Sequence, residues 1–309
     1  MPSLDTTALM LELESTVEDN LNRHLSIAKE WMPHEYIPWS EGKDFADLGG
    51  VAWDPEQSRV TPTARVALEV NLLTEDNLPS YHREIERAFG RDGAWGTWVH
   101  RWTAEEGRHG IAIRDYLLVT RAIDPVELER NRMLTMEAGY DSGDKPLLHV
   151  FAYVSFQELA TRISHRNTGR YTEDPLCDKL LARVSADENL HMIFYRNLVT
   201  ASLEVSPNEM MRAITDEVVG FQMPGKILPG FVRKAAVMAK AGIYDLVLHH
   251  DDVIWPLLRY WKIFELEGLN EEGEKAREEL STFLGDLKTQ ASRFEDRRTT
   301  LLAREAARA

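Results

Sequence analysis

The sequence predicts an all-α protein, a four-helix bundle with additional helices packed around it. Apolar residues recur three and four positions apart through most of the chain, and no sustained alternation of strand type interrupts them. The chain also repeats one unit twice, a helix with a single glutamate in its apolar stripe followed by a helix with Glu-x-x-His. With 309 residues, 43% hydrophobic and 28% charged, the composition suffices for one large core. No low-complexity linker divides it, so a single domain over 1–309 is the simplest organisation.

The first helix is expected from about Asp5 to Lys29, with Leu9, Leu13, Val17, Leu21 and Leu25 on one face. Pro33, Pro38, Gly42, Gly49, Gly50, Pro55 and Pro62 then break any helix, so that stretch reads as a long ordered loop laid over the bundle. Four core helices follow at roughly 63–88, 93–121, 146–168 and 174–204. A shorter helix near 125–138 makes the crossover between the second and third, and such long crossovers are how ferritin-like bundles are wired. Pro79 cannot donate to the carbonyl of Glu75, which predicts a kink or bulge, either tolerated or serving the placement of that glutamate. From Pro207 the chain reads as further helices outside the core, ending in a charged segment, Asn270–Ala309.

The two pairs are Glu106-Gly-Arg-His109 and Glu188-Asn-Leu-His191. Residues three apart share a helix face, so each pair presents an oxygen and an imidazole nitrogen to one point. As strings they are weak, because ten histidines make about one such pair expected by chance. Their placement is the stronger signal. Trp95, Trp98, Trp102, Glu106, His109, Ile113 and Leu117 step by three and four, as do Leu181, Val184, Glu188, His191, Tyr195 and Leu198. Both pairs therefore point into the core, where an ionised carboxylate is costly unless paired or bound to metal.

The other two core helices carry Glu75, with Leu68, Leu72 and Leu78, and Glu158, with Leu147, Phe151, Val154 and Thr161. Glu75 precedes Glu106 by 31 residues, and Glu158 precedes Glu188 by 30. One Glu on each of two helices and Glu-x-x-His on each of the other two is the established plan of di-iron carboxylate bundles, so this match is one of recognition. Four carboxylates balance two divalent cations, and oxygen and imidazole donors without thiolate suit iron or manganese. Six ligands over two ions leave coordination positions open for dioxygen.

The strings TEDNLPSYHREI (74–85), RWTAEEGRHG (101–110), SFQELATRISHRNT (155–168) and ADENLH (186–191) resemble, in order, the signature segments of the soluble acyl-acyl-carrier-protein desaturases of plastids and actinobacteria. The similarity runs from about residue 20 to 270. It implies a homodimeric enzyme that takes a saturated acyl chain on acyl carrier protein, two electrons from ferredoxin, and dioxygen, and inserts a cis double bond. By that resemblance Glu75, Glu106, His109, Glu158, Glu188 and His191 are the ligands of two iron ions, with Glu106 and Glu158 bridging. Thr161 corresponds to a hydroxyl that assists oxygen activation, its plainer reading being a bond back to a helix carbonyl. Asp187 and Trp31 correspond to an aspartate and a surface-proximal tryptophan relaying electrons toward His109, though plain packing also accounts for Trp31. Tyr81, Trp102 and Phe151 border the acyl channel or are ordinary core. Glu75-Asp76 stands where plant members have Glu-Glu. The connection between the first two core helices is shorter than in the plant enzymes, which bears on chain length and double-bond position.

The net charge of -15 argues against nucleic-acid binding. Lys226, Arg233, Lys234 and Lys240 form a late basic cluster, read as solvated helix faces or as a docking patch for an acidic partner. The single cysteine, Cys177, excludes an intrachain disulfide and fits a reducing cytoplasm. The acidic N-terminus lacks a signal or transit pattern, and no apolar run approaches the roughly 20 residues of a membrane helix. Competing readings are a related di-iron hydroxylase or N-oxygenase, a non-catalytic ferritin-like metal-binding protein, and a helical scaffold with satisfied core polars.

Overall fold

The Asp5 carboxylate accepts from the Ala8 N–H at 2.8 Å and starts α1 (Thr6–Ile27). The computed structural model describes residues 5–307, so the ends of the expected 1–309 domain and of the charged C-terminal segment lie outside the described residues. The α1 stripe buries Leu9, Leu13, Val17 and Leu21 as expected but continues through His24, whereas Leu25 is 47% exposed. A polar residue takes the last core position because its ring has a partner there, Glu105 at 2.9 Å.

The loop that follows contains short 3-10 turns at Pro33–Glu35, Trp39–Glu41, Ala46–Leu48 and Pro55–Gln57. Arg121 clasps it. This residue, buried and held at φ 53°, donates to Val51 O at 2.6 Å, Gln57 Oε1 at 2.7 Å and Lys43 O at 3.4 Å. Its guanidinium also lies 4.2 Å from the Phe45 ring, and its carbonyl accepts from Trp53 Nε1 at 3.1 Å.

Thr61 caps α2 (Pro62–Asp76), with Pro62 in the first turn where its missing N–H costs nothing. The expected helix at 63–88 is two helices. Asn77 turns its N–H back to Thr74 O at 3.4 Å, and α3 (Leu78–Phe89) starts afresh with Pro79 in its own first turn. Proline thus breaks the helix instead of kinking it, directly after Glu75. After a three-residue connection come α4 (Gly93–Val119), α5 (Pro125–Ala138), α6 (Leu147–Tyr171) and α7 (Pro175–Val205). Asp124 and Asp174 cap α5 and α7 through backbone N–H groups.

Outside this bundle lie α8 (Pro207–Val219), α9 (Phe231–Lys240), α10 (Leu246–Leu248), a π-helical turn at His249–Ile254, α11 (Trp255–Tyr260) and α12 (Glu271–Ala306). No strand occurs among the described residues, and no described helix is long and apolar enough to cross a membrane.

Two apolar cores fill the bundle. Trp95, Trp98 and Trp102 of α4 and Phe194, Tyr195 and Leu198 of α7 belong to one. Ile113, Tyr116 and Leu117 of α4 and Leu181 and Val184 of α7, with Leu68 and Leu72 of α2, belong to the other. Between them α4 and α7 present Glu106, His109, Glu188 and His191, so the polar residues form a layer sandwiched by apolar ones.

Arg121→Ala removes several bonds from a buried cation and is expected to cost about 2–3 kcal/mol, read as a lower urea midpoint at unchanged m. Limited proteolysis should show faster cleavage within residues 40–58; an unaltered midpoint and digest would refute the clasp.

Candidate metal centre

The expected ligand atoms converge from four helices in two groups, all atoms of a group lying within 4.8 Å of one another: Glu75, Glu106, His109 and Glu188, and Glu106, Glu158, Glu188 and His191. All six residues are buried. Glu106 and Glu188 are common to both groups, whereas Glu158 belongs to one, so the expected sharing by Glu106 and Glu158 is corrected. The shared carboxylates are the two that belong to Glu-x-x-His pairs, because α4 and α7 bring those pairs face to face. His109 Nδ1 lies 3.2 Å from Glu106, 3.3 Å from Glu188 and 3.6 Å from Glu75. His191 Nδ1 lies 2.7 Å from Glu106 and 3.8 Å from Glu158. Gly110 permits this closeness, since a Cβ there would stand 3.1 Å from Asp76 Oδ1 and 3.6 Å from Glu75 Cβ.

Each imidazole turns its other nitrogen outward to a carboxylate. His109 Nε2 donates to Asp187 Oδ2 at 3.4 Å, and His191 Nε2 donates to Glu105 Oε2 at 2.9 Å. The carboxylate partners keep the proton on Nε2 and leave Nδ1 for the centre. Asp187 was anticipated from the sequence; Glu105 was not. Its signal lay in an internal repeat, Arg101-Trp-Thr-Ala-Glu-Glu-Gly-Arg-His109 against Arg183-Val-Ser-Ala-Asp-Glu-Asn-Leu-His191. In both copies the arginine one turn earlier pairs with the outer carboxylate, Arg101 with Glu105 and Arg183 with Asp187.

Behind Asp187 stands Trp31, whose Nε1 donates to Oδ2 at 2.7 Å and whose ring stacks on His109 at 6.3 Å. Trp31 is 4% exposed, directly before the exposed Met32 in sequence. Behind Glu105 stands His24, 2.9 Å from Oε2. His165 Nε2 lies 2.7 Å from Glu75 Oε1, and Trp102 Nε1 donates to Glu158 Oε1 at 3.1 Å. The sequence reading missed His24 and His165, because nothing in their spacing distinguishes them from core histidines. The Thr161 hydroxyl bonds back to the helix carbonyl of Glu158 at 3.0 Å and lies 3.3 Å from Glu188 Oε2.

Unpartnered buried polar atoms test whether these residues fit a metal. Of 14 such atoms among the described residues, five lie in the two converging groups: His109 Nδ1, His191 Nδ1, Glu106 Oε1, Glu158 Oε2 and Glu188 Oε1 make no well-aligned hydrogen bond, although His191 Nδ1 and Glu106 Oε1 stand 2.7 Å apart. Left so, each costs free energy; bound cations would satisfy all five. Electrostatics agree. Burial, reinforced by the charges of Glu188 and Glu106, pushes the Glu158 carboxyl well above the usual range, and burial likewise raises Glu75. Burial opposes charge on His191, yet Glu105 and Glu106 outweigh it and raise the imidazole to about 10. Burial is similarly overcome at His109, raised by Glu106, Asp187 and Glu188. Without metal, protons supply the positive charge these carboxylates require. The donor set is oxygen and imidazole; Cys177, buried elsewhere, adds no thiolate.

The centre opens onto a cleft bounded by Glu75, Glu106, Glu158 and Glu188 on one wall and by Tyr81, Leu78, Ile85 and Val154 on others. Tyr81 and Trp102 line it as expected. Phe151 does not; it is fully buried, 5.7 Å from Phe89 and stacked at 5.9 Å on Trp95. The cleft passes it along α6, where Val150 and Val154 on either side line the wall while Phe151 packs into the apolar core. In the basic cluster Lys234 pairs with Glu69 and Lys240 with Glu305, both at 2.7 Å, so solvated, paired helix faces describe those two residues.

Comparison with known proteins agrees with this geometry. The family model described as fatty acid desaturase matches residues 5–308. DesA1 of Mycobacterium tuberculosis, named a "putative acyl-acyl-carrier-protein desaturase", is 53% identical over 306 residues, covering 96% of this chain and 90% of DesA1. A chloroplastic palmitoyl-acyl-carrier-protein 4-desaturase of Ophrys sphegodes is 30% identical, covering 94% of this chain and 82% of its own. The X-ray structure of DesA2 from M. tuberculosis superposes with a TM-score of 0.72 at 32% identity, covering 87% of this chain and 99% of that one. With its buried carboxylate and imidazole centre, the chain belongs to the fatty acid desaturase family.

Proposed function

We propose that this protein is an acyl-acyl-carrier-protein desaturase, using two iron ions, dioxygen and electrons from ferredoxin to insert a cis double bond into a saturated acyl chain carried on acyl carrier protein. It acts as a cytoplasmic homodimer, each subunit a single domain over 1–309. The observation that carries this reading is the convergence of buried carboxylate and imidazole ligand atoms from four helices beside a largely apolar cleft walled by the four carboxylates. The names of the relatives supply the carrier-bound acyl substrate.

Glu75, Glu106, His109, Glu158, Glu188 and His191 would hold the two iron ions. When bound, iron supplies the dioxygen redox chemistry that no side chain here possesses. The protein's own work is positioning. Tyr81, Leu78, Ile85 and Val154 bury the chain, at about 0.8 kcal/mol per methylene, and hold one carbon pair against the carboxylate wall. Asp187 and Glu105 orient the two imidazoles. Thr161 keeps a hydroxyl proton within reach of Glu188 Oε2 at the edge of the cleft, and Trp31 places an indole against His109 and Asp187.

Metal must displace protons from His191 and Glu158, whose metal-free pKa values are raised, so binding should release protons and tighten as pH rises from about 6 to about 8. Titration in weak buffer checks this, and a pH-independent affinity would contradict it. Glu105→Gln and Asp187→Asn should each weaken one of the two sites by about 10–100-fold, turning chelator competition biphasic. The reaction itself is tested with iron-loaded protein, reductant, oxygen and acyl-carrier-protein substrates from C14 to C20. Products two hydrogens lighter are expected. Addition of oxygen mass would indicate a hydroxylase or N-oxygenase, and untouched substrates with a cage-sized assembly by sedimentation would indicate metal storage.

A further inference from the structure

The cleft at the metal centre is flanked by two further spaces. On one side Thr74 and Thr161 form a wall shared with a chamber lined by Met223, Phe231, Met238 and Tyr244. On the other, Glu84, Ser142, Lys145 and Val150 are shared with a surface depression that includes Arg87, Ala88 and Asp144. A cavity that measures an alkyl chain needs a packed apolar bottom, because close-packed interiors do not yield to an added methylene. The far end of this cleft has none. It is bounded by the connector between α5 and α6, residues 139–146, which has no regular secondary structure and turns at Gly139 (φ 62°) and Gly143 (φ 67°).

Polar bonds tie that connector to α3. Ser142 Oγ donates to Glu84 Oε2 at 2.6 Å, Arg83 Nη2 donates to Tyr140 O at 3.1 Å, and Arg87 pairs with Asp144 where both are exposed. The polar groups at this end also satisfy one another. Glu84 receives a second bond from Arg83 Nε at 3.1 Å, and Lys145 Nζ donates to Glu217 at 2.6 Å. No buried side-chain atom of Glu84, Ser142 or Lys145 lacks a hydrogen-bond partner. With Val150, these residues line both the cleft and the surface depression.

We propose that the three spaces form one passage with a mouth on each side of the metal centre. Acyl chains longer than the cleft thread through it, and the double bond falls at a fixed distance from the carrier-bound end whatever the total length. This rests on the desaturase reading. Methylenes beyond the exit are neither buried nor opposed, so kcat/KM should level off with chain length instead of collapsing.

The test uses iron-loaded full-length protein with C16 and C24 chains on acyl carrier protein. The two substrates should have kcat/KM within about threefold, with the double bond at the same carbon counted from the thioester. Ser142→Trp, which fills the exit, should lower the C24 to C16 ratio about tenfold or more, and Ser142→Ala should not. A second measurement needs no turnover: chains bearing a nitroxide at the methyl end are bound to the protein and exposed to a water-soluble relaxant. The C24 terminus should be reached by it and the C16 terminus shielded. If C16 is desaturated while C24 is neither bound nor desaturated, or if the C24 terminus is shielded as fully as that of C16, the passage is refuted and the desaturase reading stands. If neither chain is bound or desaturated, the desaturase reading fails and the passage with it.

Discussion

Four carboxylates buried between two apolar cores cannot stay charged without positive partners, and the rest of the molecule is arranged around that constraint. The cores exclude water from a layer one helical turn thick, which makes each unneutralised oxygen expensive. Positive charge enters that layer from within as protons or metal, and outside it arginines pair with the outer carboxylates that hold the imidazoles. Deleting a ligand therefore does more than empty a coordination position. It alters the charge balance of a layer on which both cores rest.

The repeated unit explains how one chain builds the layer twice. In each copy the acid before the metal-facing glutamate crosses to the imidazole of the opposite helix, so α4 supports the histidine of α7 and α7 that of α4. Neither half of the centre is complete on its own helix. This reciprocity ties the register of α4 to that of α7 more firmly than apolar packing does, because a slip by one residue would separate both pairs together.

Much of this was legible in the sequence because it is periodic. The helix stripes, the burial of the six ligands and the long crossover all follow from spacings of three and four, and the helix ends follow from capping residues such as Asp124 and Asp174. Glu105 was also legible in principle, since the nine-residue repeat aligns it with Asp187. The remainder depends on contacts between residues far apart in sequence. Arg121 looks like a surface residue until the loop folds back onto it. His24 is placed by a partner 81 positions away, and the sharing of Glu188 in place of Glu158 depends on how four helices lean together. Phe151 follows the same periodic stripe as Glu158 yet packs into the core while Val150 and Val154 beside it line the cleft, because a stripe of spacing three and four is broader than the wall of one cavity.

The break at Asn77 divides responsibilities along what would otherwise be one continuous helix. Glu75 sits at the end of α2, and Tyr81, Glu84 and Ile85 sit on α3. Along this segment the ligand Glu75 and the stretch of cleft wall formed by Tyr81 and Ile85 therefore lie on separate helices joined at a single residue. A change in α3, in sequence or in tilt, can reshape that wall without displacing Glu75.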